Sequence, residues 1–215
     1  MDEYQARHSI VEAVRFLEEK GLNHGSAGNV SLRYADHLLI TPTGGRGTTM
    51  RPKDIVQLSL DGSVQGEGIP SSEWRFHTGI LSRRSDAHAV VHTHADSCVA
   101  LSCLRKPIPA FHYMIASFGG ITVPCSRYEP FGSKALAEAA VEAIEGHYAC
   151  LLANHGMIVT GRSLQHALDL TVKLETLARQ YILACQAGDP VMLGQAEMAE
   201  VHRRYGTYGT AAMPE

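Results

Sequence analysis

The stretch Ala89-Val90-Val91-His92-Thr93-His94-Ala95-Asp96 constrains this chain more than any other. An apolar, β-branched run ends in two histidines spaced i, i+2. On a strand both imidazoles leave the same face, with Cα atoms roughly 6.6 Å apart. Neutral imidazole is a common ligand for divalent metals, and a catalytic zinc typically takes three protein ligands and leaves one position open. Two histidines so placed ask for a third. An isolated His-x-His is equally a pair of ordinary strand residues, so the rest of the chain has to decide.

The chain can bury a core: of its 215 residues 45% are hydrophobic and 19% charged, which predicts one domain spanning 1–215. A net charge of -3, with no run of Lys or Arg, gives no electrostatic footprint for nucleic acid. Cys98, Cys103, Cys125, Cys150 and Cys185 are scattered, odd in number and without CxxC spacing. That argues against a disulfide framework or a cysteine zinc site and fits a reducing compartment. The acidic, amphipathic start and the lack of an apolar window of roughly 18 residues predict no membrane span and a cytoplasmic protein.

Helical spacing runs from Tyr4 to Lys20, with Gly21 at the cap position. Residues 38–41 and 55–60 read as strands, and Asp61-Gly62 as a hairpin turn. A helix is predicted from 96 to 104, a strand over 121–125, and a helix capped by Ser133 that runs to Glu145. Two apolar strands flank Asn154-His155-Gly156. Ser163 caps a long helix ending near Ala187, and a last helical run covers 196–204. With no internal repeat or linker, the reading is one α/β domain.

Three segments have the character of an anion cradle. In the first, Gly28 lets the backbone approach a ligand and Asn29 offers amide donors, although a plain turn reads as well. The second, 41–49, places Thr43 and Gly44 among hydroxyls and glycines. In the third, Pro70, Ser71 and Ser72 precede a helix with Trp74, Phe76, His77, Ile80 and Leu81 on its inner face; free N–H groups there bind anions. Glu73 is expected in the first turn of that helix, either as a dipole-favourable surface carboxylate or as a functional one. His155, at the tip of two apolar strands, is the third ligand candidate, since chemistry in open sheets gathers at strand ends. Tyr113 reads as a core tyrosine or a proton donor. His77, His88 and His112 have no ligand spacing and are expected at the surface or behind the ligands. Tyr208 reads as part of a frayed tail.

The ordered set Asn-x-Gly-Ser-Ala-Gly-Asn in its 23–29 form, Thr-Pro-Thr-Gly at 41–44, Ser-Ser-Glu at 71–73, Val-His-Thr-His at 91–94 and Asn-His-Gly at 154–156 resembles the class II aldolase/adducin superfamily over nearly the whole chain. The resemblance implies a three-layer fold with a central, mostly antiparallel sheet flanked by helices, in a cyclic homotetramer with sites between subunits. It implies one Zn2+ per chain on His92, His94 and His155, with Glu73 as fourth ligand at rest and as acid/base once substrate displaces it. Gly28, Asn29, Thr43, Gly44, Ser71 and Ser72 would hold a substrate phosphate, and Tyr113 and Tyr208 would serve the aldehyde end. The activity implied is reversible cleavage of a ketose 1-phosphate, such as L-fuculose 1-phosphate or a similar deoxy-ketose, to dihydroxyacetone phosphate and an aldehyde such as lactaldehyde. A Lewis acid suits the enediolate this leaves. No Schiff-base lysine stands out, because Lys20, Lys53, Lys106, Lys134 and Lys173 all lie in polar contexts. Two other expectations compete: a relative with another chemistry, either a pentulose-phosphate 4-epimerase, which would favour Asp at position 73, or a methylthioribulose-1-phosphate dehydratase; and a non-catalytic adducin-like module, which would lack the histidines.

Overall fold

The computed structural model describes residues 1–207, so Tyr208 lies outside the described residues. Helix α1 (Glu3–Glu19) starts on a capping box in which Asp2 accepts from the Gln5 N–H and the Gln5 side chain accepts from Asp2 N–H. Gly21, at φ +68°, turns the chain away from it. Strands β1 (Asn29–Tyr34), β2 (His37–Ile40), β3 (Val56–Ser59) and β4 (Val64–Gln65) follow, the last two joined through Asp61-Gly62. Next come α2 (Trp74–Arg83), β5 (Ala89–Thr93), α3 (Asp96–Ser102), a 3-10 helix (Tyr113–Phe118) and α4 (Lys134–Ala143). Strands β6 (Ala149–Leu152) and β7 (Gly156–Gly161) flank the predicted turn, and α5 (Leu164–Ala187) and α6 (Gln195–Thr207) complete the described chain. Ser133 and Ser163 cap α4 and α5 as expected, accepting from the backbone N–H groups of Leu136 and His166.

All seven strands form one sheet in the order β4-β3-β2-β1-β5-β7-β6, and every neighbouring pair is antiparallel. Side-chain alternation sends Val30, Leu32, Ala89 and Val91 to one face, where α1, α3 and α5 cover them. Leu38, Ile40, Val90 and Ile158 point to the other face, against Phe76 and Ile80 of α2 and Leu136 and Ala140 of α4. The result is three layers with an antiparallel sheet in the middle.

Three details depart from expectation. Residues 29–34 form a strand, although the reading places 29–31 in a glycine-rich loop or turn, and this strand sets Asn29 directly opposite His92. Residues 121–125 make only isolated bridges, Val123 with Ile108 and Cys125 with Leu151. Pro124 lies between them and has no N–H to give a continuous ladder. Ser71 and Ser72 precede α2, and Glu73 is its N-cap residue rather than part of its first turn.

Candidate metal centre and cleft

His92 faces α2 from near the end of β5, and His94 follows just beyond the strand. The His92 Nδ1 lies 2.9 Å from the Met157 carbonyl oxygen, which can only accept. Nδ1 therefore carries a proton and the ring directs Nε2 into the cluster, the orientation of metal-ligating histidines. His94 Nε2 lies 3.0 Å from that atom, and the rings of His92, His94 and His155 stand pairwise 4.9 Å apart. Their ligand atoms all fall within 4.8 Å of one another.

Backbone geometry permits this crowding. The turn carrying His155 has Asn154 at φ +52°, and a Cβ on Gly156 would meet the Thr93 carbonyl at 2.5 Å and the His94 and His92 rings at 3.2 and 3.3 Å. Gly28, at φ +76°, lies under the other side; a Cβ there would fall 2.6 Å from the His92 carbonyl and 2.4 Å from the Asn23 amide. That amide accepts from the His94 N–H at 3.2 Å.

Glu73 completes the cluster. Its Oε2 lies 3.2 Å from His92 Nε2 and accepts from Asn29 Nδ2 at 2.9 Å; its Oε1 lies 3.3 Å from His155 Nε2 and makes no hydrogen bond although buried. Burial alone would raise this carboxyl. Attraction and hydrogen bonding from His92, then His155 and the Asn29 amide, outweigh burial and hold it well below the usual carboxylate range. Burial first, and then repulsion from His92, pushes His94 and His155 down to about 4, so both rings are neutral donors near neutrality. Three convergent imidazoles and a carboxylate with an orphaned oxygen fit a divalent metal with tetrahedral preference.

A cleft of about 490 Å³ opens over the cluster. Gly28, Asn29, Thr43, Gly44, Ser71 and Ser72 all line it, together with Glu73, His94 and His155. Ser26, Ala27 and Asn154, which belong to the motifs at 23–29 and 154–156, line it too, as do Tyr128, Glu129 and Phe131, to which sequence reasoning gave no role. Both polar atoms of the Asn29 side chain are engaged beneath the cleft, with Glu73 and with His77. Tyr113 does not line the cleft; it is half-exposed, with its ring stacked on His112 at 4.7 Å. His77 is completely buried in α2, behind the ligands, the second of the two places expected for it.

A three-histidine cluster beside a carboxylate, under a glycine- and hydroxyl-lined cleft, has the components of a metal-assisted carbonyl lyase. The chain belongs to the class II aldolase and adducin family: residues 8–182 match the Class II Aldolase and Adducin N-terminal domain. It is 48% identical over 206 residues to a 5-methylthioribulose-1-phosphate/5-deoxyribulose-1-phosphate aldolase of Rhodospirillum rubrum, covering 96% of this chain and 93% of that one. It is 41% identical to the L-fuculose phosphate aldolase of Escherichia coli strain K12, covering 97% and 98%. A solved L-fuculose 1-phosphate aldolase superposes with a TM-score of 0.91 at 35% identity, over 94% of this chain and 96% of that one. The chain is an aldolase, a carbon–carbon lyase.

Proposed function

We propose that this enzyme reversibly cleaves a deoxy-ketose 1-phosphate between C3 and C4, releasing dihydroxyacetone phosphate and a short aldehyde, with zinc as its metal. The observation that carries this reading is the position of Glu73: one carboxylate touches the histidine cluster and faces a cleft lined by the glycines and hydroxyls that suit a phosphate. When bound, the metal supplies a Lewis acid for the negative charge that develops on the ketone and neighbouring hydroxyl oxygens.

This chain's own residues do the rest. Gly28, Thr43, Gly44, Ser71 and Ser72 hold the phosphate through backbone and hydroxyl donors, which fixes the three-carbon half over the cluster. The C4 hydroxyl loses its proton, the C3–C4 bond breaks to leave an aldehyde, and the electron pair passes to the enediolate of the phosphate half. Glu73, which takes up a proton from solvent once substrate displaces it from the cluster, delivers that proton to C3, or removes one in the synthetic direction, while the proton lost by the C4 hydroxyl passes to solvent through the Tyr113 hydroxyl. Tyr113 handles the proton on the aldehyde oxygen. Because it stands outside its own chain's cleft, it does so for a neighbouring subunit, in keeping with a homotetramer; Tyr208 belongs to the same role. Tyr128 and Phe131 give the aldehyde end an apolar wall. That favours a terminal methyl or methylthio group and supports 5-deoxyribulose or 5-methylthioribulose 1-phosphate over the more hydroxylated L-fuculose 1-phosphate.

A panel of L-fuculose, L-rhamnulose, 5-deoxyribulose and 5-methylthioribulose 1-phosphates, scored for dihydroxyacetone phosphate release beside metal analysis, tests the proposal. The expected outcome is about one zinc per chain and turnover of at least one deoxy-ketose. No dihydroxyacetone phosphate from any member, or full activity without metal, would overturn it.

A further inference from the structure

Beneath the cleft runs a line of buried polar groups that metal binding and phosphate binding leave unexplained. Ser31 and His77 are wholly buried and Asn29 nearly so, between β1 and α2. Ser31 Oγ lies 2.7 Å from His77 Nδ1, His77 Nε2 lies 2.5 Å from Asn29 Oδ1, and Asn29 Nδ2 donates to Glu73 Oε2 at 2.9 Å. Burial of three such groups is costly unless each is satisfied, and here each satisfies the next.

The polarity of the line is set from its catalytic end. Glu73 is a carboxylate and can only accept, so Asn29 must turn its NH2 toward it and its carbonyl oxygen toward His77. The imidazole must then present N–H at Nε2 and accept from the Ser31 hydroxyl at Nδ1. The opposite tautomer would let the Asn29 amide turn its oxygen onto the carboxylate, and that contact is repulsive. We propose that His77, as a positioning residue, locks the Asn29 amide and thereby holds Glu73 by Oε2 alone, leaving Oε1 as the oxygen that carries the proton. This rests on the acid/base reading of Glu73 given above.

Two variants separate positioning from packing. The amide of His77→Gln reaches the Nε2 position and can still donate to Asn29. That of His77→Asn reaches only the Nδ1 position, so it can bond Ser31 but leaves Asn29 unheld. Both are purified, reloaded with zinc to equal metal content and assayed for cleavage and for solvent exchange of the hydroxymethyl hydrogen of dihydroxyacetone phosphate. His77→Asn is expected to lose about ten- to a hundredfold in exchange and in kcat with KM little changed, while His77→Gln stays near wild type. Equal impairment of the two variants, no impairment of either, or a loss confined to KM would overturn the proposal. Separately, nitrogen-15 spectra of the histidine rings, with His77 assigned by its absence in His77→Gln, should show it as the neutral Nε2–H tautomer. An Nδ1–H or doubly protonated ring overturns the proposal whatever the activity. Failure of wild type to exchange the hydrogen at all would instead sink the aldolase role of Glu73, and the ring tautomer would still decide this one.

Discussion

Val91 and His92 are neighbours on β5, both fully buried, and they face opposite sides of one sheet. Val91 belongs to an apolar cluster built with aliphatic side chains from α1, α3 and α5. The polar groups on that side include hydroxyls turned back on their own helix, such as Thr171 to the Ala167 carbonyl and Ser102 to the Val99 carbonyl. His92 meets a carboxylate, an amide and two more imidazoles drawn from β1, α2 and the β6–β7 turn. The first face contributes stability through apolar burial, at about 25 cal/mol per Å². The second is costly to bury and is kept for the orientation it enforces, because each polar group there fixes another on a different element.

The sharpest way to break this contrast is to alter one group on each face. Glu73→Gln preserves shape and the Asn29 neighbour but removes the proton carrier. Turnover should fall by about two to four orders of magnitude while metal content and thermal midpoint stay close to wild type. Near-normal turnover would remove Glu73 from its role. Leu174→Ala, on the completely buried inner side of α5, should do the reverse. Unfolding by denaturant should show a loss of about 2–5 kcal/mol, with kcat per folded, metal-loaded chain unchanged. A large fall in kcat at full folding would mean that the two faces are not separable.

The same contrast explains what could be read from sequence. His92, His94 and His155 could be brought together from sequence because each stands at or just past the end of an apolar run, where a polar residue has to be explained; Glu73 stood out instead by its place at a helix entry among hydroxyls. The long helices were legible from their caps and apolar stripes. Strand β1 was not. Asn29-Val30-Ser31-Leu32 has the period of a half-exposed strand, but it follows a glycine-rich loop and shares that loop's polar character. Its polar side is in fact buried beneath α2. Periodicity reports alternation and says nothing about whether the polar side meets water or a histidine. For the same reason His77 could be placed on the inner side of α2 but not at the centre of a hydrogen-bond line, because its partners are 46 and 48 residues away. Residues 121–125 failed in the other direction: a β-rich composition outweighed the missing N–H of Pro124.

A smaller effect tests whether the polar face bears the cost ascribed to it. Burial above all, with repulsion from His92 only partly offset by Glu73, pushes His77 down to about 3, whereas an unfolded histidine titrates near 6.5. Below 6.5 the unfolded chain takes up a proton that the folded chain refuses. The stability tied to His77 is therefore complete above that pH and is lost progressively as pH falls toward 3. Between pH 7 and pH 5 the loss attributable to this one ring is about 2 kcal/mol. In metal-free protein, where metal release adds nothing, wild type should lose that much more stability than His77→Gln over the same interval of urea unfolding. His166, on α5 at the opposite face, is only half-buried, and burial and Arg162 lower it less decisively. His166→Gln should change the pH slope less than His77→Gln does. Equal slopes for the two variants would mean that His77 already gains its proton in the folded protein, and the division between a stabilising face and a costly, orienting one would fail at its most buried polar residue.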